Sequence, residues 1–178
     1  MSADRRDPNL AFTPLRIAIL TMSDTRGPAE DKSGALLAER VQSAGHTLSA
    51  RVIVKDESAA IEAQLRAWIA DDGVDVVIAT GGTGFTGRDV TPEAFHAVYE
   101  KEIVGFGELF RWISYAKIGT STIQSRATGG VANGTLLFAL PGSTNACKDA
   151  WDEILVHQLD SRTRPCNFVE IMPRLREK

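Results

Sequence analysis

A glycine-rich segment and two aspartates are the parts of this sequence whose residue types and spacing suggest chemistry. The segment Thr80-Gly81-Gly82-Thr83-Gly84 follows an apolar run, and Asp89 comes shortly after it. Successive small residues allow backbone N–H groups to converge on an anion, so the segment is a candidate phosphate site. A tight turn that needs glycine for steric reasons alone is the alternative.

Asp56 and Asp89 each come after a predicted strand. Because ligands of open α/β sheets bind beyond the carboxyl ends of the strands, both carboxylates are expected at one edge of the sheet. Carboxylates repel phosphate unless a cation lies between them, and Mg²⁺ bound by one or two carboxylates together with substrate phosphates is a common arrangement. In the alternative, Asp56 caps a loop beside Glu57 and Asp89 pairs with the neighbouring Arg88.

Two further loops point to the same edge. The loop Ser23-Asp24-Thr25-Arg26-Gly27 follows the first predicted strand and supplies hydroxyls and one arginine. The tripeptide Pro141-Gly142-Ser143 opens a predicted helix whose first N–H groups are free to bind an anion. Two glycine-bearing anion sites suggest a ligand with more than one phosphate.

Other nucleotide and hydrolase motifs fit the sequence less well. Gly82, Gly84 and Gly87 match G-x-G-x-x-G, but Thr91 and Pro92 place the helix start several residues too late for dinucleotide binding. No Gly-Lys-Ser/Thr follows the glycines, and there is no G-x-S-x-G elbow. The three histidines lack metal-ligand spacing and are expected at the surface or its boundary. NAD binding and serine-based hydrolysis are therefore disfavoured.

Strands alternating with helices must position these loops. Short apolar runs predict strands over residues 15–22, 46–55 and 74–79, with helices between them and a further helix over 105–119. Thr91 is predicted to cap a helix that has Pro92 at its first position. Asn133-Gly134 between apolar residues is a hairpin signal. The predicted fold class is therefore α/β, a single domain with a mostly parallel mixed sheet and helices on both faces.

The length of 178 residues fits one domain. Residues 1–14 are predicted to form a mobile N-terminal arm, residues 15–164 the domain, and residues 165–178 a C-terminal tail without helical period. The net charge of −3 argues against nucleic-acid binding, and no apolar run approaches the roughly 20 residues of a membrane helix. Since no secretory signal pattern is present, a cytoplasmic location is expected.

Four stretches together resemble a known family. They are TMSDTR at 21–26, TGGTGFTGRDVTPEA at 80–94, SRATGGV at 125–131 and LPGSTNACKDAWDEIL at 140–155. They resemble the molybdenum cofactor biosynthesis family of molybdopterin-binding and adenylylating proteins, and the stretch DSRTRPCNF resembles the B branch of that family. The long segment around RDVTPEA is the most specific of these matches.

The resemblance implies a reaction and a set of site residues. Mg-ATP and molybdopterin would give adenylylated molybdopterin and pyrophosphate, in a homotrimer or homohexamer that passes its product to a downstream metal-insertion protein. Asp56 and Asp89 would be the catalytic residues and would hold Mg²⁺. The remaining predicted substrate-binding residues are Ser23, Asp24, Thr80, Gly81, Gly82, Thr83, Gly84, Ser125, Arg126, Pro141, Gly142 and Ser143.

Two alternatives to this enzyme stay open. Relatives in the B branch can lack aspartates at the two positions, so a molybdopterin-binding or assembly protein without catalysis is one alternative. A related domain acting on pyridine nucleotides is the other, although this chain lacks the extra length of such proteins.

Overall fold

The apolar run after Pro14 forms the central part of the sheet. The computed structural model describes residues 5–177, and in it the first strand, β1 (Arg16–Met22), is buried at every position but its first. On one side β1 pairs in parallel with β2 (Thr47–Val54), and on the other with β3 (Val76–Thr80). β1 and β3 are buried on both faces and therefore read as continuous apolar runs in the sequence, whereas the edge strand β2 is only partly buried.

A tight hairpin supplies the antiparallel part of the sheet. Strands β5 (Thr128–Ala132) and β6 (Thr135–Leu140) are joined by Asn133 and Gly134, whose φ angles are +46° and +80°. Positive φ at both central residues matches the twist of the flanking strands. A two-residue edge strand that was not predicted, β4 (Lys101–Glu102), pairs with β5, and β6 runs parallel to β3. The sheet order is β2-β1-β3-β6-β5-β4, so the predicted mixed sheet is confirmed.

Helices cover both faces of this sheet. Side chains alternate along β1: Ile17 and Ile19 belong to the core on one face of the sheet, and Ala18 and Leu20 belong to the core on the other face. None of these four side chains is exposed. The helices are α1 (Lys32–Ser43), α2 (Ser58–Ile69), α3 (Thr91–His96), α4 (Val104–Ile118), α5 (Thr144–Ala150), α6 (Val156–Gln158) and α7 (Phe168–Ile171), with 3-10 segments over Gly119–Gln124 and Met172–Arg174 and a π-helical turn, Trp151–Leu155, joining α5 to α6.

Two local predictions about helix ends had different outcomes. The helix predicted to open at Pro141-Gly142-Ser143 is confirmed as α5, which Ser143 caps by accepting a hydrogen bond from the Ala146 N–H at 3.2 Å. The cap predicted at Thr91 is wrong, because Val90 occupies the cap position and Thr91 is the first helical residue. The side chain of Thr91 is consequently turned into the protein, where it is fully buried.

The C-terminal tail has more structure than its pattern indicated. Residues 168–171 form the short helix α7, capped by the side chain of Asn167, which accepts from the Glu170 N–H at 3.0 Å. Phe168 stacks on Phe138 of β6 with ring centroids 5.7 Å apart. This turn of helix forms although the tail has no helical period, because a local cap and packing on the core stabilise it.

The N-terminal segment contacts the domain. The Asp7 N–H donates to the Arg162 carbonyl at 2.9 Å, and the Thr13 N–H donates to Ser161 Oγ at 2.9 Å. Residues 5–14 of the predicted mobile arm are thus hydrogen-bonded to residues that precede the tail, and residues 1–4 lie outside the described part of the chain. Within residues 5–177, no helix is long and apolar enough to cross a membrane.

Candidate active site

Two loops at the carboxyl ends of neighbouring parallel strands converge on one cavity. The loop after β3 and the loop after β6 both line a cavity of about 450 Å³, which also borders α4, the 3-10 segment after it and the start of α5. Eight of the predicted site residues line it: Gly82, Thr83, Gly84, Asp89, Ser125, Pro141, Gly142 and Ser143. The topology therefore brings together residues that are separated by up to about a third of the chain.

Close packing explains part of the glycine content of the first loop. Gly81 has a φ of +114°, and a Cβ there would lie 2.6 Å from the Met22 carbonyl oxygen. A Cβ on Gly142 would lie 3.3 Å from the Gly81 Cα, so the two loops touch through their backbones. At Gly81 the steric alternative considered above is thus sufficient to explain glycine, and it does not conflict with anion binding by neighbouring N–H groups.

Thr80 connects the two loops from inside the fold. It is fully buried, and its hydroxyl donates to the Pro141 carbonyl at 3.0 Å and lies 3.1 Å from the Cys147 sulfur. Cys147 is buried as a packing residue, and burial raises the pKa of its thiol to about 11. The side chain of Thr80 therefore does not line the cavity but holds the loops that do.

Asp89 organises the glycine-rich loop. Its Oδ2 accepts hydrogen bonds from the Thr86 hydroxyl at 2.7 Å and from the Thr86 N–H at 2.8 Å. These bonds lower the pKa of the Asp89 carboxyl, and the bond from the hydroxyl has the largest effect. Its neighbour Arg88 pairs with Asp24 instead. The proposed Asp89–Arg88 ion pair is therefore not formed, and Asp89 stays charged at the cavity wall.

Asp56 has a different environment from Asp89. Its Oδ1 is buried without a hydrogen-bond partner, while its backbone N–H donates to Asp24 Oδ1 at 3.1 Å. Burial, followed by the charges of Asp24 and Asp89, raises the pKa of the Asp56 carboxyl. A carboxylate with an unsatisfied oxygen next to two other negative charges would be stabilised by a cation.

The side chains of Arg126 and Ser23 form hydrogen bonds to other residues of the protein. Arg126 Nε donates to the Gly84 carbonyl at 2.6 Å, a terminal nitrogen donates to the Asp89 carbonyl at 2.8 Å, and the other terminal nitrogen pairs with Glu93. Ser23 Oγ accepts from the Arg26 N–H at 3.0 Å. These two residues shape the loops around the site, and neither lines the cavity.

The cavity has further lining residues that local sequence patterns do not reveal. Phe110, Ser114 and Ile118 come from α4, and Asn145 comes from α5. Lys117 also faces the cavity and donates to Asp149 Oδ1 at 2.7 Å. The helical period of α4 was the only sequence signal for these residues, and it predicted a face buried in the core rather than contact with a ligand. Together these residues give the cavity one apolar wall and several polar groups, as is usual for a small-molecule site.

No group of three or more His, Cys, Asp or Glu side chains within residues 5–177 is arranged to hold a metal by itself. Any cation site here would need oxygens from elsewhere, such as hydroxyls or the phosphates of a ligand. Buried His46 is likewise no ligand, because its Nδ1 accepts the Leu15 N–H at 3.1 Å. Its predicted surface or boundary position is wrong, since Phe12 and Trp151 cover its ring.

Comparison with known proteins agrees with this geometry. Residues 18–161 match the family model described as a probable molybdopterin binding domain. The molybdenum cofactor biosynthesis protein B of Escherichia coli K12 is 56% identical over 157 residues, which cover 88% of this chain and 92% of that protein.

Solved structures show the same relationship. A crystal structure of a molybdenum cofactor biosynthesis protein B superposes with a TM-score of 0.85 at 41% identity, covering 95% of this chain and 100% of the other. A tungsten cofactor synthesizing protein from Pyrococcus furiosus superposes with a TM-score of 0.77 at 35% identity, covering 94% and 100%. The chain therefore belongs to the molybdopterin-binding domain family of the molybdenum cofactor biosynthesis proteins.

Proposed function

We propose that, within molybdenum cofactor biosynthesis, this protein binds molybdopterin and adenylylates it with Mg-ATP, releasing pyrophosphate. The observation that carries the proposal is the convergence of two glycine-bearing strand-end loops on one cavity, which Gly82 and Asp89 line, with the Asp56 carboxylate directly beside Gly82. Backbone N–H groups suit phosphates, and the carboxylates suit the cation that polyphosphates carry.

The shape and lining of the cavity support a ligand with both an aromatic and an anionic part. Phe110 and Ile118 provide apolar surface for a flat ring, and Ser114 and Asn145 provide polar groups for its edges. The glycine-rich loop lies at the polar side of the same space. A pterin joined to a phosphate combines a flat aromatic ring with an anionic group in the same way.

The chemistry requires alignment and charge compensation, and no covalent nucleophile of the protein takes part. An oxygen of the terminal phosphate of molybdopterin forms a bond to the α-phosphorus of ATP, and the bond from that phosphorus to the pyrophosphate oxygen breaks. Because Gly142 contacts Gly81, N–H groups of both loops are available to one chain of phosphates. Arg126 would hold the Gly84 and Asp89 backbone in place during this step.

The residues present fit Mg²⁺. Asp56 Oδ1 is a buried oxygen without a partner, and a Cβ on Gly82 would lie only 2.7 Å from it, so glycine keeps the space beside that oxygen open. Asp56 and Asp89 would hold the ion together with nucleotide phosphates, and the ion would offset the charge of the departing pyrophosphate. The adenylylated pterin would then serve a metal-insertion protein.

Incubation of the protein with molybdopterin, ATP and Mg²⁺, followed by detection of adenylylated pterin and pyrophosphate, tests this function. We expect both products in equal amounts, and we expect Asp56→Asn to lower the rate by about 10²- to 10³-fold, the usual effect of removing one electrostatic partner of a transition state. Glu39→Gln, on the exposed side of α1, is the matched control for loss of one carboxylate and should retain the rate.

Binding without product would contradict the enzyme and favour the non-catalytic alternative. In that case molybdopterin would bind with measurable affinity, but neither pyrophosphate nor adenylylated pterin would form at any Mg²⁺ concentration. Failure to bind molybdopterin at all would contradict both alternatives.

A further inference from the structure

Thr91 carries a hydroxyl that the fold itself leaves without a hydrogen-bond partner. The residue is fully buried at the start of α3, and its N–H donates to the Gly82 carbonyl at 3.1 Å, yet its Oγ1 has no partner. A buried polar atom without a partner is destabilising, whereas valine would fill the same volume without that cost. Packing alone therefore does not account for threonine at this position.

Asp56 presents a second unsatisfied oxygen at the same place. A Cβ on Gly82 would contact Thr91 Oγ1 and would lie 2.7 Å from Asp56 Oδ1 and 3.1 Å from Asp56 Oδ2. Three oxygens from two residues far apart in the chain thus border one small space that glycine alone leaves open. An oxygen-lined space that carries negative charge has the chemistry that a hard divalent cation requires.

The rest of the site holds Asp56 in this orientation. Asp24 accepts the Asp56 N–H through Oδ1 and pairs with Arg88 through Oδ2, so the loop after β1 is connected to the loop after β3. Asp89 differs from Asp56, because its Oδ2 already accepts two hydrogen bonds from Thr86. Of the two predicted metal-binding aspartates, Asp56 is the one with an unsatisfied buried oxygen.

We propose that Thr91 provides a hydroxyl ligand, beside the Asp56 carboxylate, for the divalent cation that accompanies the nucleotide. The inference rests on the proposed function and adds to it a residue whose pattern had indicated only helix capping. Threonine and serine hydroxyls bind Mg²⁺ next to nucleotide phosphates in other protein folds. The Asp56 carboxylate and this hydroxyl leave the remaining coordination positions to Asp89, phosphate oxygens and water, as Mg²⁺ favours.

A pair of substitutions separates the hydroxyl from the packing of the side chain. Thr91→Val removes the hydroxyl at nearly constant volume, and Thr91→Ser keeps it. The full chain is titrated with Mn²⁺ in the presence of α,β-methylene-ATP, and free Mn²⁺ is followed by electron paramagnetic resonance. We expect Thr91→Val to bind Mn²⁺ about 10- to 100-fold more weakly, the range seen when a residue supporting a metal site is lost. Thr91→Ser should bind it as the wild type does.

Thermal unfolding without metal distinguishes this role from a structural one. Because Thr91→Val removes an unsatisfied buried hydroxyl, its melting temperature should equal or exceed that of the wild type. A structural role would instead lower the melting temperature along with the affinity, and that result would overturn the proposal. If Thr91→Val does not fold, Thr91→Ala removes the same hydroxyl without the methyl groups of valine.

Thr163→Val is the matched control. Thr163 is also buried with an Oγ1 that has no partner, but it lies beside Arg6 near the N-terminal segment and is not among the residues whose oxygens border the space at Gly82. Its Mn²⁺ affinity should equal that of the wild type. Wild-type affinity in Thr91→Val, or an equal loss in Thr163→Val, would overturn the proposal and leave the proposed function intact. Absence of Mn²⁺ binding by the wild type would overturn the cation site of the proposed function as well.

Discussion

Replacing Arg126 by lysine should loosen the glycine-rich loop and slow adenylylation while the domain stays folded. The arginine forms two hydrogen bonds to carbonyls, at 2.6 Å to Gly84 and at 2.8 Å to Asp89, and an ion pair with Glu93. A lysine ammonium cannot reproduce this planar fork, so at least one carbonyl loses its donor. A hydrogen bond involving a charged group contributes about 1.5–3 kcal/mol. Because the Arg126 side chain is 33% exposed, we expect a loss near the lower end, about 1.5–2 kcal/mol.

This loss of stability should affect mainly the glycine-rich loop. A free-energy change of that size corresponds to a fall in melting temperature of about 3–8 °C if the whole domain is affected, and to less if only the loop opens. Misplacement of Asp89 should lower the turnover number, by about tenfold, more than it changes the Michaelis constant for molybdopterin. Hydrogen exchange of residues 83–89, measured by mass spectrometry with and without ATP, reports the loop directly.

Arg66→Lys is the control for this experiment. Arg66 also donates to a backbone carbonyl, that of Ala97 at 3.1 Å, and pairs with Glu62, but it lies on α2 outside the cavity. It should change neither exchange in residues 83–89 nor turnover. Wild-type exchange and turnover in Arg126→Lys, or equal slowing by Arg66→Lys, would refute the reasoning.

Three further predictions concern pH, the glycine-rich loop and assembly. Burial lowers the pKa of His46, so below about pH 6.5 the unfolded chain binds more protons than the folded one, and the free energy of unfolding should fall by up to about 1.4 kcal/mol for each unit by which the pH decreases. Urea unfolding at several pH values should show that His46→Asn lacks this contribution, and an equal dependence of stability on pH in the two proteins would contradict it. A Cβ on Gly84 would lie 2.7 Å from Asp89 Oδ2, whereas no atom would lie within 4 Å of a Cβ on Gly87. In calorimetric titrations Gly84→Ala should therefore weaken binding of an ATP analogue, and Gly87→Ala should not. Equal affinities of the two variants would count against a nucleotide at this loop. Trp112 on α4 is 74% exposed, and we expect it to lie in a subunit contact of the trimer or hexamer that the family resemblance implies. Light scattering should therefore show a smaller mass for Trp112→Ser than for the wild type. A monomeric wild type at micromolar concentration would contradict the assembly.

Local patterns in the sequence were sufficient for most of the fold. The strands β1 and β3 are apolar because both of their faces are covered, and that burial is visible as composition, whereas the edge strand β2 is only partly buried. The hairpin at Asn133-Gly134 was predictable because its turn demands residues that tolerate positive φ. The helix opening at Pro141-Gly142-Ser143 was also predictable locally, and in the structure Ser143 caps that helix through a hydrogen bond that spans three residues.

The positions of the site loops were predictable for a related reason. Parallel strands end at a common edge, so strands that can be recognised bring the segments after them together. The loops after β3 and β6 meet at one cavity for this reason, and Gly82, Asp89 and Ser143 line it. The family resemblance then associated that edge with a ligand.

The tertiary structure alone decided which polar atoms are occupied and which are unsatisfied. Arg126 is engaged by carbonyls 42 and 37 residues away, and Thr91 faces Gly82 and Asp56 instead of the N–H groups of its own helix. His46 is buried because Phe12 and Trp151, from opposite ends of the chain, cover it. Spacing along a sequence predicts interactions within one element, where geometry repeats every few residues. Hydrogen bonds and burial between distant segments depend on how the elements pack, and no local pattern encodes that packing.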